Sequence, residues 1–323
     1  MSSQNDYELP SDKQEVLRKA IRLEWLTIAF FLTAVVALYL TLGSSQAMKA
    51  AWIEDLLAFV PPISFLIAAR IRYRPANQDY PYGYHRAVGI GFLCASLALF
   101  VLGLWVLYDS AIRLIRFEHP PIGLVQPFGE PIWLGWFMLL ALGYTVLPAV
   151  FLGRAKVSLA RGLHDKILWA DAEMNKADWT TAGAAMLGIV GIRFGLWWAD
   201  SVAALFISLS IVKDGVKSMG AAVADLMDQT PRLVDGSARD PARARLEEEL
   251  RGMSWVHDAR VRLREDGHVF IGDAVVVLKE ATGDVTRKIE VARRALMDLD
   301  WRVHDLTLMP VRDLEDVQHL DEQ

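Results

Sequence analysis

The chain has 323 residues, 53% of them hydrophobic and 23% charged, with a formal net charge of −5. A mean hydropathy of +0.25 is too apolar for an ordinary soluble protein, and the basic residues are too scattered to suit a nucleic-acid partner. Its one cysteine, Cys94, excludes an internal disulfide and a multi-cysteine zinc site, and is expected to be a buried, inert thiol.

The polar opening stretch MSSQNDYELPSDKQEVLRKAIRLEW lacks the form of a cleaved signal peptide, so the first apolar run is expected to stay in the mature protein. A bilayer core takes about 20 apolar residues per helix. Runs 25–48, 88–108 and 132–153 qualify outright, whereas 50–69, 167–192 and 194–212 are interrupted by acids. The expectation is a bundle of about six spans. Lys13, Arg18, Lys19 and Arg22 precede the first run; Arg70, Arg72, Arg74 and Arg86 follow the second. Arg154, Lys156, Arg161 and Lys166 are read as a loop between the fourth and fifth. This alternation predicts cytoplasmic termini, and Trp133, Trp136, Trp197 and Trp198 suit an interfacial belt.

Beyond Pro231 the periodicity changes. DPARARLEEELRGM reads as a helix, WVHDARVRLRE and DGHVFIGDAVVVLKE as strands, GDVTRKIEVARRALMDL as a helix and WRVHDLTLMPV as a last strand. The α-β-β-α-β order is compatible with a ferredoxin-like α+β sandwich. The division expected is an N-terminal tail at 1–21, a transmembrane domain at 22–228 and a cytoplasmic domain at 229–323.

Two stretches carry costly groups inside apolar runs. In LWADAEMNKADW, helical spacing lines up Asp171, Met174, Asn175 and Asp178 on one face, with Glu173 and Lys176 pointing elsewhere. In AAWIEDLLAF, Glu54 and Asp55 lie about 100° apart, so only one is expected to face the bundle, the other being paired with Lys49. Intramembrane acids usually face an ion pathway or a bundle interior. Carboxylates from two helices would make an oxygen-rich site for a hard divalent ion. Asp109 and Asp200 read as structural, through Arg113 and Arg193.

These stretches resemble the cation diffusion facilitator family. YPYGYHRA is similar to its His-Pro-Tyr-Gly-His-Gly-Arg signature, WADAEMNKAD to its Asp-Ala-x-His-x-x-x-Asp motif, and WWADSVAALFIS to the start of its sixth helix. The resemblance implies a six-helix homodimeric antiporter that exports a divalent metal for protons and dimerises through its C-terminal domain. It implies a multi-pass protein of the bacterial inner membrane, with no tightly bound cofactor beyond the transported cation. The family's second-helix acids fall on Glu54 and Ala58 or, shifted by one, on Asp55 and Phe59, and its fifth-helix histidine and aspartate on Met174 and Asp178. The ligand set implied is Glu54, Asp55, Asp171, Met174, Asn175 and Asp178, whose oxygens would favour manganese, ferrous iron or magnesium over zinc. The loop histidines of the signature are Tyr80 and Tyr84 here, with His85 displaced, and Thr307 stands near the place of a histidine in the last strand. His164, His257, His268 and His304 read as surface or structural. An alternative is a non-transporting partner that dimerises with an active relative. A membrane enzyme is disfavoured, because no histidine, serine or cysteine constellation accompanies the acids.

Overall fold

The computed structural model describes residues 9–71, 77–81, 84, 86–118, 122–126, 129–266, 269–279 and 284–314. His85, His268 and the centre of the YPYGYHRA signature lie outside the described residues.

Helix α1, Ser11–Thr41, starts directly after Pro10, whose ring cannot continue a helix backwards, and has Asp12 in its first turn. It begins inside the stretch 1–21 read as a tail, because Leu17 and Ala20 already belong to the buried stripe that continues through Glu24, Thr27, Phe31, Ala34 and Leu38. Gly43, at φ 53°, turns the chain. Ser45 then caps α2, Gln46–Leu57, by accepting from the Met48 N–H. After a break at Ala58 and Phe59 comes α3, Val60–Ile71. Helix α4 spans Arg86–Ile115, and a two-strand ribbon of β1, Leu124–Val125, and β2, Ile132–Trp133, leads into α5, Leu134–Leu163. His164 ends α5 in the left-handed conformation. Asp165 caps α6, Lys166–Arg193, by accepting from the N–H groups of Ile167 and Leu168. Helix α7, Ala199–Leu226, follows a turn that contains Gly195 at φ 83°.

Four of the described helical segments are long and apolar enough to cross a membrane: Ser11–Thr41, Gln46–Ile71, Gly89–Ile115 and Leu134–Leu163. Helices α6 and α7 have 28 residues each. At 1.5 Å per residue that is about 42 Å of helix, and their acids and lysines hold down their average hydropathy. The shared core joins Leu38 of α1, Met48 and Ile53 of α2, Val106 of α4, Met138 and Leu142 of α5, Ala185 and Ile189 of α6, and Ala204 and Ile207 of α7.

Several sequence expectations need correction. Lys156 is not in a loop: α5 carries it inside the helix, with no exposed surface. The last span does not start at 194, because the chain turns before α7 begins at Ala199. Cys94 is exposed on α4 rather than buried. Lys49 pairs with Asp109, at 3.1 Å, and lies over the Trp105 ring instead of reaching Glu54 or Asp55. Arg113 pairs with Asp109 as expected, at 3.4 Å. Arg193 lies over Trp133, and Asp200 takes other partners: Ser45 Oγ donates to it at 2.5 Å, Gln46 N at 2.6 Å and Ala47 N at 3.3 Å.

The C-terminal part has the expected order: α8, Ala242–Gly252; β3, Val256–Asp266; β4, Val269–Leu278; α9, Val285–Leu299; and β5, Val303–Val311. The sheet runs β3-β4-β5, with β3 antiparallel and β5 parallel to β4. Leu246 and Leu250 of α8 and Ala292 and Leu296 of α9 cover it in a separate core with Val261, Phe270, Val276 and Leu306.

Candidate functional site

Glu54 and Asp55 occupy the last turn of α2, where the sequence itself breaks the helix. Pro61 and Pro62 of α3 have no N–H, so the carbonyls of Leu57 and Ala58 have no donor four residues on. The Glu54 carbonyl still accepts from Ala58 N at 2.9 Å. A discontinuous membrane helix beside acids is a recurrent way of presenting oxygens to a cation.

From α6, Asp178 faces this turn. Glu54 is within hydrogen-bonding reach of Thr181 and within electrostatic range of Asp178, Asp55 and Asp214. Asp178 in turn feels Asp55, Asp171, Lys156 and Asp214. Thr181 is held by its own hydrogen bond to the Asp178 carbonyl, at 3.0 Å. Asp55 Oδ2 is buried with no hydrogen-bond partner among the described residues. Thus α2, α6 and α7 bring Glu54, Asp55, Asp178 and Asp214 to one region. Among the described residues, no three His, Cys, Asp or Glu side chains stand close enough to hold a metal ion. The acids are assembled in this conformation without being closed into a coordination shell.

Asp171 and Asn175 occupy a different place. Asp171 is ion-paired to Lys156, whose Nζ also donates to Glu24 Oε2 at 2.9 Å, and Asn175 Nδ2 donates to Asp171 Oδ1 at 3.1 Å. Met174 is partly buried on the same helix. Sequence reasoning missed Glu24, Lys156 and Asp214. Glu24 closes the polar opening stretch and Lys156 falls in the expected loop, yet the three- and four-residue spacing of apolar neighbours puts Glu24 on the buried stripe of α1. Asp214, between Lys213 and Lys217, reads as part of a solvated face.

Where the helices meet the α+β unit lies a second polar cluster. Arg302 donates to Asp240 Oδ2 at 2.7 Å and Asp300 Oδ2 at 2.8 Å, and its NH1 also donates to His164 Nδ1 at 3.0 Å, which assigns the proton of the neutral imidazole to Nε2. Burial pushes His164 down to about 4, assisted by the Arg302 charge and opposed by Asp240. Lys166 reaches Glu265 at 2.7 Å and Asp225 at 3.5 Å. Burial nevertheless raises Glu265 to about 7, against the pull of Lys166. For Asp300, burial acts upward, but its hydrogen bonds and charge contact with Arg302 prevail and hold it low. His164 is therefore a structural partner of Arg302, while His257 and His304 lie on β3 and β5.

Long apolar helices that carry acids, joined to a small α+β unit, define a helical membrane-type protein. The Cation efflux transmembrane domain family matches residues 23–227, and the chain belongs to this family of cation efflux transporters, the cation diffusion facilitators. It is thus an integral, multi-pass membrane protein. It is 28% identical over 169 residues to the manganese efflux system protein MneS of Bacillus subtilis strain 168, covering 52% of this chain and 54% of the relative. The chain therefore spans about half the length of that relative. It is 25% identical over 236 residues to the magnetosome protein MamB of Magnetospirillum gryphiswaldense, covering 70% of this chain and 75% of that protein. With a cadmium, cobalt and zinc/H(+)-K(+) antiporter of Bacillus subtilis the identity is 23% over 232 residues, 70% of this chain and 68% of the relative.

Proposed function

We propose that the protein exports a divalent cation across the membrane in exchange for protons, with Glu54, Asp55 and Asp178 as ligands and Asp214 shaping the potential around them. The observation that carries this reading is the approach of the α2 and α6 acids beside the break in the second helix. Among the described residues, Glu54, Asp55, Asp178 and Thr181 offer oxygens here, a donor set that suits manganese or ferrous iron better than zinc. The likeness to a manganese efflux protein supports the same choice. Six crossing helices, including α6 and α7, would put both termini and the basic segments in the cytoplasm of a bacterial inner membrane. The α-β-β-α-β unit is then a ferredoxin-like domain through which two copies associate.

Flux into proteoliposomes under an imposed pH gradient tests this, with manganese, ferrous iron, cobalt, zinc, cadmium and magnesium compared. Manganese flux that requires the gradient and falls at least about ten-fold, a barrier of 1.4 kcal/mol, in Asp178→Ala is the expected result. Gradient-independent flux would remove the antiport mechanism, and no flux of any ion from a folded protein would remove the transporter reading.

A further inference from the structure

The cluster of Glu24, Lys156, Asp171 and Asn175 stands apart from the α2 acids and has its own charge problem. Lys156 and Glu24 have no exposed surface, and Asp171 is 2% exposed. Among the described residues one ammonium faces two carboxylates, so their ionised side chains carry one negative charge in excess among apolar helices, where such a charge is costly. Glu24 Oε1 is moreover buried without a hydrogen-bond partner among the described residues.

A divalent ion would balance both carboxylates at once. Two carboxylates and the Asn175 amide oxygen are the donors that hard divalent ions take. The position also lies on the line of the proposed pathway, since Asp171, Asn175 and Asp178 succeed one another along one face of α6. We propose that Glu24, Asp171 and Asn175 form a second divalent-cation position, occupied in this conformation by the tethered ammonium of Lys156. A cation moving along α6 displaces that ammonium, and in doing so releases the link that Lys156 makes between α1, α5 and α6. The passage of the ion rests on the transport reading above; the existence of the binding position does not.

Manganese(II) binding to the full chain purified in detergent, measured by calorimetry, separates the two. Lys156→Met is expected to bind one more manganese per chain than wild type, and adding Glu24→Gln is expected to abolish that gain. A folded Lys156→Met protein with the wild-type stoichiometry overturns the proposal. If Lys156→Met is unstable in chelator, manganese must restore its thermal transition in a Glu24-dependent way, and failure to do so overturns it equally. Asp178→Ala, compared with wild type, tests the first site alone. Wild-type binding unaffected by Asp178→Ala, with the Lys156→Met gain intact, would sink the α2–α6 site and leave this second position standing.

Discussion

Asp200 illustrates how one side chain is read differently once its neighbours are known. From the sequence it is an acid at the start of a span, and the nearest arginine is the obvious partner. In the fold it accepts from Ser45, Gln46 and Ala47, so it completes the cap of a helix distant in the chain. Asp200→Ala would leave these buried donors unsatisfied at a cost of about 1–3 kcal/mol each if no water replaces it. A lowered thermal midpoint with manganese affinity retained per folded molecule is the expected outcome. For Asp214→Asn the expectation is reversed, with near-normal stability and weaker manganese binding in calorimetry, because the residue acts on Glu54 and Asp178 through charge. The acids at 54, 55 and 178 were legible because a carboxylate in an apolar run stands out. Glu24 and Lys156 were not, since they lie near the ends of their runs, where a charge normally reaches water.

At the level of elements, the positions of the long helices were legible from hydropathy, while their ends were set by local chemistry that hydropathy ignores. The serine cap at 45 divides what reads as one apolar stretch, and buried spacing carries α1 back to Ser11. Small residues settle the approach of α6 and α7: a Cβ at Gly188 would meet the Ala203 Cβ at 2.8 Å. Between α4 and α7, a Cβ at Gly215 would come to 3.0 Å from the backbone of Phe100, which cannot rotate away. Gly215→Val is therefore expected to separate these helices at a cost of about 1–3 kcal/mol, visible as a lower midpoint of thermal unfolding. Gly183→Ala, where a Cβ meets nothing within 4 Å inside a regular helix, is the control and should hold or raise that midpoint.

For the whole molecule, the junction between the helices and the α+β unit carries two groups whose pH responses oppose each other. Glu265, raised to about 7 from 4.5, contributes stability that is fully present below about 4.5 and lost as pH rises through 7. His164, lowered to about 4 from 6.5, contributes stability present above 6.5 and lost as pH falls through 4. Glu265→Gln should raise the thermal midpoint above pH 7 and change little near pH 4.5; His164→Asn should flatten the loss on the acid side. Parallel slopes in the two variants across this window would refute the assignment. The break in the second span has a consequence of a different kind. Helix α2 ends beside Glu54 and Asp55, and the aligned peptide dipoles of a helix leave about half an elementary negative charge at such an end. The opposing positive end of α3 is thinned, because Pro61 and Pro62 supply no N–H. The backbone therefore adds to the negative potential near Ala58, so part of the attraction for a dication at the proposed site would come from peptide bonds that a comparison of side chains would never register.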